Sequence, residues 1–145
     1  MYAENYKRFL ELIDEVREFE GAIVVEGPRD EVALRNLGVR VEIIRLSRLP
    51  LSETALIASS FGNVMILTDF DSAGEELAGK LLRYLEGFPC RVDSKTRREL
   101  RRIVKKDIKG VEDLYRLYLK TASVSDPQWR GYNEAKKDRA SPHFS

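Results

Sequence analysis

The sequence predicts an α/β fold: a mainly parallel four-stranded sheet with helices on both faces and an extra helix at each end of the chain. Three observations predict it. Short apolar, β-branched runs alternate with stretches of helical period, the pattern of strands and helices in a parallel sheet. Gly and Pro punctuate most junctions between them. Apolar residues make up 43% of the 145, enough for one buried core and too many for a disordered body.

The elements follow in order. Between Tyr6 and Phe19, apolar residues at Phe9, Leu10, Leu12, Ile13, Val16 and Phe19 recur with helical spacing, and Gly21 ends the helix. Ala22–Val25 is a strand stopped by Glu26-Gly27-Pro28, and Asp30–Leu37 is a helix closed by Gly38. Val41–Leu46 is a strand, and Ser52–Ser60 a helix capped by Ser52. Gly62-Asn63 turns the chain into a strand at Val64–Thr68. Ser72–Leu85 is a helix opening as Ser-x-x-Glu, with Glu75 reaching back to the cap, and Gly87 and Pro89 terminate it. A brief strand at Arg91–Val92 precedes helices at Lys95–Lys106 and Val111–Lys120. A single domain is expected over residues 1–120. From Thr121 the apolar period is lost, so residues 121–145 are expected to form a poorly ordered tail, with Trp129 and Tyr132 as docking points.

Composition excludes most chemistries. Cys90 is the only cysteine, so a disulfide framework and a thiolate metal cage are ruled out. His143 is the only histidine, so a Ser-His-Asp triad, a His-ligated zinc and a Cys-His pair all lack parts. Catalysis would have to come from carboxylates, Lys, Arg, Tyr or a hard metal ion. With 25 Lys and Arg against 24 Asp and Glu, net charge predicts no partner, and only the distribution of charge is informative. No apolar run approaches the length of a membrane span. No signal peptide is expected, and the protein reads as cytoplasmic. Charged residues reach 34% while Gln, Cys and Met are scarce, a heat-adapted composition.

Two loops leave acids at the carboxyl ends of apolar strands, where open parallel sheets bind their ligands. The first runs from Ile23 through Glu26-Gly27-Pro28-Arg29-Asp30, the second from Ile66 through Thr68-Asp69-Phe70-Asp71 to Gly74-Glu75. In extended chain Asp69 and Asp71 project to one side and Phe70 to the other. If the two strands are neighbours, Glu26 faces the aspartate pair. Three such carboxylates call for a counter-ion, and oxygen-only ligands favour Mg²⁺, Mn²⁺ or Ca²⁺ over zinc. Gly27 and Gly74 would let a phosphate approach the backbone. The bland alternative is a helix N-cap with an acidic neighbour, weaker for the two loops together than for Asp-x-Asp alone.

The pairing of strand-Glu26-Gly27-x-x-Asp30 with strand-Thr68-Asp69-x-Asp71-x-x-Gly74-Glu75 resembles the Toprim family. That domain is shared by type IA and type II topoisomerases, bacterial primases, OLD-family nucleases and the small nuclease that matures 5S ribosomal RNA. The resemblance covers residues 20–95 and suits a small stand-alone prokaryotic, archaeal-like member akin to the primase-like and nuclease-like ones. It implies a Toprim-like, Rossmann-like fold, with Glu26 as acid–base residue or metal ligand and Asp69 and Asp71 as Mg²⁺ ligands, Mn²⁺ being a substitute. Asp30 matches a further acidic position, and Asp30, Gly27, Gly74 and Glu75 would support the first three. Where small nuclease-like members often have Lys after Glu-Gly, this chain has Pro28, so any phosphate contact passes to Arg29.

The segment from Lys95 to Lys109 carries Leu100, Ile103 and Val104 as one apolar stripe on a mostly basic circumference. Arg98, Arg101, Arg102, Lys105 and Lys106 would there contact phosphates, independently of sequence and in a salt-dependent way; the alternative is a solvated helix face. Tyr115 and Tyr118 sit at helical spacing and read as core or rim, and Cys90 as a small buried residue. The resulting expectation is a Mg²⁺-dependent nucleic-acid enzyme, foremost a nuclease acting on structured RNA or DNA. The alternatives are a non-catalytic nucleic-acid or protein-binding module of a larger assembly and a primase-like nucleotidyl transferase.

Overall fold

The computed structural model describes residues 1–125, of Ser125 the backbone alone. Its elements are α1 (Tyr6–Glu18), β1 (Ala22–Val25), α2 (Pro28–Asn36), β2 (Glu42–Arg45), α3 (Leu51–Ser59), β3 (Asn63–Ile66), α4 (Ser72–Leu85), β4 (Arg91–Asp93), α5 (Lys95–Val104) and α6 (Leu114–Ser125). Short 3-10 turns lie at Ala3–Asn5, Leu46–Arg48 and Val111–Asp113. The four strands form one sheet in the order β2-β1-β3-β4, every pair parallel. The two acidic loops therefore leave adjacent central strands at the same end of the sheet.

Strand side chains alternate between two cores, as the pleat requires. Ile23, Val25, Met65 and Leu67 face a layer built from α1, α2, α5 and α6, including Phe9, Leu12, Leu34, Leu100, Val104 and Leu114. Val24, Val64 and Ile66 face α3 and α4 through Ala55, Ala58, Leu81 and Leu85. Each fully buried aliphatic side chain contributes about 1.5–3 kcal/mol. Helices thus cover both faces, as the alternation predicts. Tyr115 and Tyr118 pack half-buried against the first core, and Cys90 half-buried against the second.

Several boundaries differ from the sequence-based expectation. Helix α2 starts at Pro28 rather than Asp30, because Pro fits the first helical turn and Asp30 accepts from the Gly27 N–H at 3.0 Å. Ser52 is not a cap. Pro50 holds that position, and its carbonyl accepts the first helical bond from the Thr54 N–H at 3.0 Å. The cap of α4 is Asp71, which accepts from the Gly74 N–H at 2.8 Å, and Glu75 turns away from it. Strand β3 ends at Ile66, although the Leu67 N–H still donates to the Val24 carbonyl at 2.8 Å. Helix α5 stops at Val104 instead of Lys106. Helix α6 is entered through a 3-10 turn and runs past Lys120 to Ser125, with Thr121 and Ala122 buried, so the expected end of order at Thr121 falls too early. Residues 126–145, with Trp129 and Tyr132, lie outside the described residues.

Candidate metal and nucleic-acid site

Parallel pairing of β1 with β3 brings the two acidic loops into direct contact. Glu26 Oε2 accepts from the Asp69 N–H at 2.7 Å. Asp69 Oδ1 accepts from the Val111 N–H at 2.9 Å, and Asp71 Oδ1 from the Gly74 N–H. Each of the three carboxylates thus has one oxygen fixed by a backbone amide and a second left over. Asp71 is exposed, Glu26 and Asp69 are half-buried, and Phe70 points into the core.

Burial pushes the Glu26 carboxyl above the usual carboxylate range; the Asp69 N–H opposes this, and the charges of Asp69, Asp71 and Asp30 reinforce it. The acids therefore sense one another across the strand ends. Among the described residues, no group of three His, Cys, Asp or Glu side chains stands close enough to form a ready-made metal cage. The donor set still suits a hard cation, because Mg²⁺ commonly takes one or two protein carboxylates and fills its other positions with water and phosphate.

Asp30 is only 6% exposed. Burial raises its carboxyl from 3.8 to about 6; the Gly27 N–H opposes the rise, the charges of Asp69 and Glu112 add to it, and the Glu112 N–H opposes it. A folded value above the unfolded one means that ionisation costs stability. The cost is absent below about pH 4, grows between pH 4 and 6, and is constant above; it amounts to about 3 kcal/mol when complete. In EDTA, Asp30→Asn should therefore gain on wild type as the pH is raised from about 4.5 to 7.5. A gap between the two melting curves that ignores pH would show that Asp30 does not titrate in this window.

The backbone carrying Asp69 is held by an arginine that charge pattern alone did not single out. Arg97, 2% exposed, donates from Nε to the Thr68 carbonyl at 3.1 Å and from Nη2 to the Asp69 carbonyl at 2.5 Å. Its Nη1 bonds Glu75 Oε2 at 2.7 Å, and this bond holds the Glu75 carboxyl below its ordinary range. Arg101 donates to the Phe70 carbonyl at 3.0 Å. Part of the predicted basic face is thus structural. Arg98, Arg102, Lys105 and Lys106 are exposed, with the Lys106 ammonium 5.9 Å from the Tyr2 ring centre. Arg29, also exposed, lines a shallow cleft with Asn36, Tyr115 and Arg116 between α2 and α6.

An all-parallel sheet with Glu-Gly and Asp-x-Asp at the ends of adjacent central strands is the Toprim arrangement, and residues 21–104 match the Toprim domain. The chain is 82% identical to a UPF0292 protein of Thermococcus onnurineus, over 90% of this chain and 98% of that one. It is 69% identical to a UPF0292 protein of Pyrococcus horikoshii, over 84% and 92% respectively. A Methanosarcina barkeri UPF0292 protein is 36% identical over 86% of this chain and 93% of its own. This chain belongs to the Toprim domain family and, within it, to the small archaeal UPF0292 proteins. A solved structure of a putative protein from Aquifex aeolicus has the same fold, with a TM-score of 0.59 and 27% identity over 72% of this chain and 95% of that one. The Toprim domain implies a metal-dependent function related to nucleic acid, of the nuclease and primase kind. The Thermococcus relatives fit the heat-adapted composition. No helix among the described residues is long and apolar enough to cross a membrane.

Proposed function

We propose that this protein is a metal-dependent nuclease that cleaves phosphodiester bonds in structured RNA or DNA. The observation that carries the reading is the contact of Glu26 with the Asp69 amide, which joins the two acidic loops in one place. Asp69 and Asp71 would hold Mg²⁺ or Mn²⁺ through the oxygens their amide partners leave over, with Glu26 completing the set or acting as general base. When bound, such a cation supplies positive charge to a phosphate in transfer. Burial raises the Glu26 carboxyl above the usual carboxylate range, which favours it over an ordinary surface acid as the group that takes up and returns a proton. Exposed cations support the choice of substrate. Arg29 is exposed on the helix after β1, and Arg98, Arg102 and Lys105 are exposed on the helix after edge strand β4, where they are free to contact phosphates.

The test is incubation of the full chain with Mg²⁺ or Mn²⁺ and a pool of structured RNAs and DNAs. Wild type should release fragments, and Glu26→Gln should lower the rate at least about 100-fold with little change in melting temperature. Retarded but uncleaved nucleic acid would favour the non-catalytic binding module. Extended strands would favour nucleotidyl transfer.

A further inference from the structure

The Toprim match ends at residue 104, yet the chain then returns to the acidic end of the sheet. The Lys109 carbonyl accepts from the Phe70 N–H at 2.7 Å, and the Val111 N–H donates to Asp69 Oδ1 at 2.9 Å. The Asp30 carboxylate, which takes the Gly27 N–H at 3.0 Å, also feels the main chain at Glu112. Between these contacts lies Gly110, buried against the Asp69 carboxylate. A Cβ at this position would stand 3.0 Å from Asp69 Oδ1 and 3.4 Å from its Cγ. Gly110 has φ −130° and ψ 157°, a conformation open to any residue, so the backbone does not require glycine here. To admit a Cβ, the neighbouring carboxylate would have to give by a few tenths of an ångström.

From these contacts we infer that Gly110 and the Val111 N–H are positioning elements for the Asp69 carboxylate. They fix Oδ1 and leave Oδ2 as the oxygen that a divalent cation takes. The torsion that turns a carboxylate about its own axis is soft, so an unheld Asp69 would spread its oxygens over many orientations. A charge-assisted N–H···O⁻ bond removes that freedom. Partners of this kind set the direction of a ligand without touching the metal, and losing one typically costs 10–100-fold in metal affinity. The inference rests on the metal reading above and extends it: the segment that completes the site comes from outside the Toprim match.

Calorimetric titration of Mn²⁺ into the full chain tests it with four proteins: wild type, Gly110→Ala, Val111→Pro and Asp69→Asn. Val111 begins a 3-10 turn, where the φ of proline is at home, and Gly110 already has the extended ψ that a residue before proline adopts. Val111→Pro therefore deletes the N–H without straining the backbone, at the cost of exchanging a buried valine side chain for the proline ring. Gly110→Ala crowds the carboxylate by a few tenths of an ångström. Both should weaken Mn²⁺ binding about 10–100-fold while melting within a few degrees of wild type in EDTA. Asp69→Asn should bind least. Wild-type affinity in both loop variants, with binding lost in Asp69→Asn, would overturn the positioning role and leave the metal site standing. Undiminished binding in Asp69→Asn, or no binding in wild type, would remove the metal site and the positioning role together. If a loop variant melts far lower in EDTA, the same change is made in Asp69→Ala. A penalty that disappears there supports the contact with the carboxylate, and one that persists makes the segment a structural strap and overturns the inference.

Discussion

Arg97→Met should destabilise the fold by about 3–5 kcal/mol in guanidinium denaturation run in EDTA. Met keeps the length and most of the volume of the buried stem, so the loss does not come from a cavity. It comes from the polar partners left behind. The Thr68 and Asp69 carbonyls would lose their guanidinium donors in a region that water hardly enters, and each unpaired buried acceptor costs about 1–3 kcal/mol. Glu75, half-exposed, can turn to solvent and contributes less. Replacing both partners of a buried polar contact by apolar groups can be nearly neutral, but main-chain carbonyls cannot be replaced. Arg97→Lys should recover only part of the loss, because an ammonium cannot serve three acceptors with the planar fork of a guanidinium. A loss under about 1 kcal/mol for Arg97→Met would mean that water reaches the carbonyls and that the arginine is not the clamp described.

The sequence carried the strand and helix order because each element states it locally, through a β-branched run or a 3.6-residue period. Errors arose where the deciding partner is distant. Ser-x-x-Glu is a sound capping signature, but it was read one residue late: Asp71 caps as well as serine does, and Glu75 is drawn off by Arg97 from 22 residues away. The miss at Ser52 is local instead: Pro50, two residues earlier, holds the cap position and accepts the first helical bond. Arg97 is hidden among the basic residues of the Lys95–Lys109 segment. Position would have found it, since Arg97, Leu100 and Val104 lie at i, i+3 and i+7 and share the buried stripe. The meeting of Glu26 and Asp69 was legible because both follow apolar strands that pair, while Asp71 stands further on as the cap of α4. Gly110 and Val111 had no such signal: they reach Asp69 across about 40 residues through a main-chain amide, which leaves no mark on side-chain pattern.

Gly74→Ala separates two reasons for the same glycine. At the third position of α4, helix propensity alone makes alanine the better residue by about 1 kcal/mol. If Gly74 only admits a phosphate, the variant should be as stable as wild type or more so, and fail only with nucleic acid. The packing predicts the reverse. A Cβ at Gly74 would overlap the Asp69 carbonyl oxygen and stand 2.6 Å and 2.9 Å from the carbon and nitrogen of the same residue. Nothing there can yield cheaply. The Asp69 carbonyl is held by Arg97, the Gly74 N–H by Asp71, and the Gly74 carbonyl accepts the Thr68 hydroxyl at 2.7 Å. Overpacking against fixed backbone should cost about 3 kcal/mol and displace Asp69, so metal affinity should fall with stability. Gly27→Ala is the control: a Cβ there meets nothing within 4 Å and φ is −150°, so its stability should stay within about 1 kcal/mol of wild type. Denaturation of the three proteins in EDTA, without nucleic acid, decides the matter. A Gly74→Ala protein as stable as wild type would refute the packing and return the glycine to the phosphate.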